Sequence, residues 1–226
     1  MISKNNKIFL AGHNGMVGSA ILKKLKSLGY KNVICVSKKK LNLLDQRKVE
    51  NFLKKKKPKV VIIAAARVGG ILANNNNKAS FLYENLTIQT NIIHSSFLAG
   101  VKNLIFLGSS CIYPKKTKQP IKESFFMTGP LENTNDAYAI AKITGVKMCM
   151  EYSKQYKLNY KTLMPANMFG SNDNYDLKSS HFFPALINKI HNAKIKKKKL
   201  LLYGEMENPK ENFFMSKILL MHVFFL

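Results

Sequence analysis

The chain has 226 residues, 46% of them hydrophobic and 22% charged, a globular balance that excludes wholesale disorder. It carries 37 basic against 12 acidic residues, a net charge of +25, which alone points to nucleic acid or an anionic membrane. The kind of base argues against that: only Arg47 and Arg67 are arginine, whereas phosphate and guanine readers rely on the Arg fork. Lys is joined by abundant Asn and Ile, three residues with A/T-rich codons, so codon bias explains the charge better and no nucleic-acid partner is expected.

Three Cys residues cannot pair completely and lack zinc-ligand spacing, so neither a disulfide framework nor a metal site is expected. The polar start, Met1 to Lys7, does not read as a signal peptide. No apolar run reaches the ~18 residues that span a bilayer. A cytoplasmic chain without a membrane partner follows.

Ile8 to Ala11 reads as a strand and Met16 to Leu28 as a helix. Val33 to Val36 is a second strand, Arg47 to Lys54 a helix, and Val60 to Ile63 a third strand. Lys78 to Ala99 has helical spacing of Phe81, Leu82, Ile88, Ile92 and Ile93. Leu104 to Leu107 is a fourth strand, Ala137 to Tyr156 a helix, and Tyr160 to Met164 a fifth strand. Short apolar strands alternating with helices predict an α/β fold, a doubly wound parallel sheet covered on both faces. After Pro165 the pattern weakens. Ser171 to Ser180 is a polar loop, Phe182 to His191 a short helix, and Leu200 to Tyr203 a strand. A boundary near residue 165 therefore separates a Rossmann-like domain, 1–165, from a partial second domain, 166–226. The Lys runs at 54–57 and 196–199 read as solvated surface.

Gly12-His13-Asn14-Gly15-Met16-Val17-Gly18 lies between the first strand and its helix. The first Gly allows a tight turn, the second lets backbone N–H groups approach a pyrophosphate, and the third lets the helix pack against the sheet. No acidic residue follows the second strand to hold a ribose 2′-hydroxyl. Ser37-Lys38-Lys39-Lys40 stands there instead, and a cation such as Lys38 suits the 2′-phosphate of NADP(H) over NAD(H).

Tyr138 and Lys142 are four residues apart and share one helix face. A free Tyr titrates near ~10, and a Lys cation beside it is expected to lower that value toward working range. Ser109 follows the fourth strand, where open parallel sheets bind ligands, and is placed to hydrogen-bond a carbonyl oxygen beside Tyr138.

Six stretches resemble the GDP-L-fucose synthase family of extended short-chain dehydrogenase/reductases. They are AGHNGMVGSAI at 11–21, LNLLD at 41–45, AAARVGGILANN at 64–75, FLGSSCIYP at 106–114, YAIAKITG at 138–145 and MPANMFG at 164–170. The resemblance implies NADPH-dependent 3,5-epimerisation and 4-reduction of GDP-4-keto-6-deoxy-D-mannose. It implies Ser109, Tyr138 and Lys142 as the catalytic core, Cys111 as epimerisation base and His181 as acid. Read without it, Cys111 is a small buried hydrophobe and His181 a structural polar residue. The resemblance also places Leu107, Ser109, Ser110, Pro165, Ala166, Asn167, Met168 and His181 along the cofactor, with Lys142 at the nicotinamide ribose. Lys189 and Tyr203 fall on the GDP-sugar, and a homodimer through the two long helices is implied. Asn14 and Tyr203 replace the Arg and Trp common at those positions.

The family continues past Tyr203-Gly204 with an acidic motif, where this chain reads Lys210 to Lys217 without it. Phe214 to Leu226, back-translated with permissible codons and read one base earlier, comes close to that motif. The expectation is a frameshift near Glu211, an interrupted substrate domain, and a competing reading as an inactive cofactor-binding fragment. A different nucleotide-sugar epimerase or dehydratase is the alternative within the enzyme class.

Overall fold

The structure is a computed structural model and describes residues 2–177, 179–195 and the backbone of 213–215. Five parallel strands form the main sheet: β1 (Ile8–Ala11), β2 (Val33–Ile34), β3 (Val60–Ile63), β4 (Asn103–Leu107) and β5 (Asn159–Leu163). Their order is β2-β1-β3-β4-β5. The helices are α1 (Met16–Ser27), α2 (Gln46–Lys56), α3 (Ile71–Asn76), α4 (Lys78–Leu98), α5 (Asp136–Tyr156) and α6 (Phe182–Ile195). Single 3₁₀ turns cover Ser110–Ile112 and Glu123–Phe125. A separate two-stranded parallel sheet pairs β6 (Asn167–Phe169) with β7 (Phe213–Met215).

Alternate strand residues face opposite sides, as the pleat requires. Ile8, Leu10, Val60, Ile62 and Leu107 pack with Ile21 and Leu25 of α1. Phe9, Ala11, Val61, Ile63, Leu104 and Phe106 face the other way, onto Val49 and Leu53 of α2, Ile92 and Ile93 of α4, and Val146 and Cys149 of α5. Phe9 and Phe106 are fully buried, each worth roughly 1.5–3 kcal/mol of burial. The doubly wound expectation is met.

The LNLLD stretch starts α2: Asp45 accepts from the Lys48 amide at 3.0 Å as its N-cap. Leu41 is buried beneath it, and the Leu43 carbonyl accepts from Asn91 of α4 at 2.9 Å. β2 ends two residues short of its apolar run, and the chain turns at Ser37, whose carbonyl accepts from the Lys40 and Leu41 amides at 3.0 Å. α6 runs one turn past the expected end at His191. α3, six residues ending in an Asn run, was not among the expected elements. The expected strand Leu200 to Tyr203 lies outside the described residues. Among the described residues no helix is long and apolar enough to cross a membrane.

Candidate functional site

The chain leaves β1 for β2 on one side and returns to β3 on the other, so the sheet order reverses between β1 and β3. Such a switch point opens a crevice at the carboxyl ends of the strands. Gly12 lies there with φ +87°, a left-handed conformation suited to Gly. A Cβ on it would sit 2.5 Å from Ala65 N, at the end of β3. A Cβ on Gly18 would come within 2.0 Å of Gly12 O, so the turn and α1 touch backbone to backbone. Gly15 is the N-cap of α1, has no side-chain cap hydrogen bond, and is followed by no acidic residue in the first turn. The helix therefore offers free N–H groups and its positive end to an anion. His13, Asn14, Met16 and Val17 complete this loop and first turn, with Asn14 exposed. These residues fit a dinucleotide pyrophosphate. Lys38 lies exposed in the turn after β2.

Beyond β4 the chain runs Gly108-Ser109 into the 3₁₀ turn. Gly108 N donates to Leu163 O at 2.8 Å and Ser110 N to Pro165 O at 3.0 Å. These bonds bring Ser109 and Ser110 beside the segment Pro165, Ala166, Asn167 and Met168, which leads into β6. Ser109 Oγ accepts from Cys111 N at 3.4 Å as cap of the turn, and its hydroxyl faces the Cys111 thiol.

α5 brings Tyr138 and Lys142 against this turn. Lys142 is 3% exposed. Its Nζ donates to Leu107 O at 2.8 Å, and lies 4.7 Å from the Phe106 ring centroid and 5.7 Å from that of Tyr138. Burial pushes the Lys142 pKa down to about 8 while Cys111 pulls it up. Tyr138 is raised by burial first and by the Cys111 charge second. Cys111 is raised by burial, against lowering by Ser109 and Lys142. Cys111 thus acts on both Tyr138 and Lys142. The expectation that Lys142 would lower the Tyr138 pKa is corrected: desolvation outweighs any cation effect, and the phenol stays protonated.

Opposite, the β3–α3 loop meets the segment before α6. Gly70 N donates to Ser179 O at 3.0 Å, and a Cβ on Gly70 would lie 2.3 Å from Ser180 O. His181, exposed, follows directly, and Lys189 stands two turns along α6. Tyr203 lies outside the described residues. Sequence reading missed what holds this loop. Asn85 Oδ1 accepts from Arg67 N at 2.9 Å, and its Nδ2 donates to Arg67 O at 2.9 Å and Phe81 O at 2.8 Å. The Arg67 guanidinium pairs with Glu84 and lies 4.9 Å over the Phe81 ring. Arg67 being one of two arginines in a Lys-rich chain was the available signal. Among the described residues no group of three or more His, Cys, Asp or Glu is placed to hold a metal.

The arrangement offers an anion cradle, a hydroxyl donor, a protonated phenol, a thiol and a buried amine at one sheet edge. The chain is 52% identical over 211 residues to a GDP-L-fucose synthase of Sinorhizobium fredii, covering 93% of this chain and 67% of that protein. It is 48% identical over 187 residues to the GDP-L-fucose synthase of Escherichia coli, covering 83% and 58%. The solved structure of a GDP-L-fucose synthetase from Naegleria fowleri bound to NADP matches with TM-score 0.87 at 27% identity, over 99% of this chain and 73% of that one. The chain spans roughly three fifths to two thirds of these curated relatives' length. The model of the NAD dependent epimerase/dehydratase family matches residues 8–213. The chain belongs to the NAD dependent epimerase/dehydratase family.

Proposed function

We propose that the chain performs NADPH-dependent 3,5-epimerisation and 4-reduction of GDP-4-keto-6-deoxy-D-mannose to GDP-L-fucose. Residues 1–165 form its cofactor domain and 166–226 part of its substrate domain. The observation that carries this reading is the grouping of Ser109, Cys111, Tyr138 and Lys142 at the end of β4, where Lys142 Nζ donates to Leu107 O at 2.8 Å and lies 5.7 Å from the Tyr138 ring centroid, and Ser109 Oγ caps the turn that carries Cys111. Relatives at about half identity bearing the GDP-L-fucose synthase name support the substrate class.

A 4-keto group acidifies the protons on C3 and C5. Cys111 removes each proton; Ser109 and the protonated Tyr138 donate to the enolate oxygen. His181 returns a proton on the opposite face, which inverts the centre. Lys142, anchored on Leu107 O, favours the Cys111 thiolate. Bound NADPH supplies the hydride for C4. Tyr138 then protonates O4, a role suited to a phenol kept neutral. Gly12 to Gly18 bind the pyrophosphate, and Lys38 meets the 2′-phosphate. Leu107, Ser110 and Pro165 to Met168 line the cofactor, while Lys189 and Tyr203 contact the GDP-sugar.

Cys111→Ser is expected to abolish solvent-deuterium incorporation at C3 and C5 while NADPH binding is unchanged. Normal exchange in that variant, read by mass spectrometry, defeats the assignment.

A homodimer through α4 and α5 is part of the reading. Tyr83 and Leu98 on α4, and Ile140, Met150 and Tyr156 on α5, are large exposed hydrophobics that such a contact buries. Sedimentation is expected to give twice the chain mass; a monomer at micromolar concentration refutes it. The cytoplasm is the proposed location, supported by three free thiols, Cys35, Cys111 and Cys149.

A further inference from the structure

Asn is among the best helix N-caps, yet Asn135, the N-cap of α5, does not cap. Its backbone, φ −133° and ψ 17°, is not extended, and its side chain makes no cap hydrogen bond. The Ala137 amide takes Asp136 Oδ1 at 2.8 Å instead. Asn135 Oδ1 is buried without a partner, while Nδ2, equally unpaired, stays accessible. A buried polar atom left unpaired costs stability and calls for an explanation.

The turn around it is tied down. Lys78 Nζ on α4 donates to Asp136 Oδ1 at 2.9 Å and to Asn133 O. Glu132 pairs with Lys115 at 2.7 Å and accepts from the Thr134 amide and hydroxyl at 3.4 Å. Asn135 N donates to Glu132 O at 3.2 Å. The side chains of Glu132, Thr134 and Asp136 are thus committed, while the Asn135 carboxamide is idle. Asn135 stands three and seven residues before Tyr138 and Lys142, on the helix face that carries both. Helical side chains lean toward the N-terminus of their helix, so the Tyr138 ring leans back toward Asn135. A phenol that donates to O4 of the keto sugar therefore has this amide beside it, where the next oxygen of the sugar is the C3 hydroxyl.

We propose that Asn135 is a further substrate-binding residue: its Nδ2 donates to the C3 hydroxyl oxygen of the 4-keto sugar. The inference rests on the epimerase reading above. When Cys111 takes the C3 proton, the C–H electron pair becomes the C3=C4 double bond and the carbonyl pair moves onto O4. O3 and O4 then lie side by side in one plane, so an amide beside Tyr138 grips O3 best in that state. When the C5 proton leaves, the double bond is C4=C5, and O3 stays on a tetrahedral carbon, out of that plane. Asn135 gives up no proton in either step. Its bond therefore favours the C3 transition state over the C5 one.

The two exchange rates of one substrate molecule test this, in the full chain with NADP+ bound so that reduction does not consume the keto sugar. In deuterium oxide, Asn135→Ala is expected to slow deuterium uptake at C3 about tenfold and at C5 by no more than about twofold, read by NMR. A displaced α5 would move Tyr138 and Lys142 and slow both carbons alike. Equal losses, or undiminished uptake at C3, overturn the proposal. Asn135→Ser keeps a good N-cap in a shorter side chain; it is expected to show the same split, and it decides should the alanine variant not fold. No uptake at either carbon in the native chain refutes the epimerase reading itself. Native uptake without a split in the variants refutes the role of Asn135 alone.

Discussion

Keeping Lys142 charged works against the fold. Burial lowers its pKa from 10.5 to about 8, a difference that costs about 3 kcal/mol at neutral pH. The Leu107 carbonyl and the Phe106 ring offset part of the desolvation, and what remains serves the site. Lys142→Met is therefore expected to raise stability in urea by about 1–2 kcal/mol at pH 7, after the loss of Leu107's partner, and to abolish reduction. The sign is checked by pH. The folded pKa lies below the unfolded one, so the unfolded state binds more protons between pH 8 and 10.5. The advantage of the variant should shrink across that window as the native lysine sheds its proton. A variant less stable than the native chain at pH 7 contradicts this ledger. The Tyr138–Lys142 pair was legible because helical spacing alone puts both on one face. The direction of the Tyr138 shift was not, since it depends on how deeply the β4 turn and α5 enclose the ring.

The β1–α1 junction depends on a backbone contact that admits no side chain. A Cβ on Gly18 would meet Gly12 O at 2.0 Å, backbone against backbone, so Gly18→Ala must push α1 away from the turn. NADPH affinity is expected to fall at least about tenfold, with a stability loss of about 1–3 kcal/mol; fluorescence titration and urea melts check both. Titration of the native chain should also show NADP(H) bound at least about tenfold tighter than NAD(H), from Lys38 on the 2′-phosphate. Equal affinities would remove that role. The strands β1 and β3 matched their apolar runs residue for residue, because a fully buried strand leaves a continuous apolar signature. β6 and the loop around Asp173 left no such signature. Asn167 pairs with Phe213 across the chain, and the loop at 171–180 closes through side-chain bonds such as Asn174 to Ser179 that only the folded chain assembles.

For the whole molecule, the net charge of +25 is compatible with an enzyme of anionic nucleotide sugars, because Lys is spread over solvated faces while the described site uses one buried amine. Doubly wound topology, legible from alternating elements, places every candidate catalytic group except His181 on β4, its turn or α5. His181 arrives from the next segment through Gly70, a contact no periodicity announces. The most direct measurement of the central claim is incubation of the chain with NADPH and GDP-4-keto-6-deoxy-D-mannose in deuterium oxide. Deuterium at C3 and C5 together with NADPH oxidation and GDP-L-fucose formation is the expected result. NADPH binding without exchange at either carbon would contradict it.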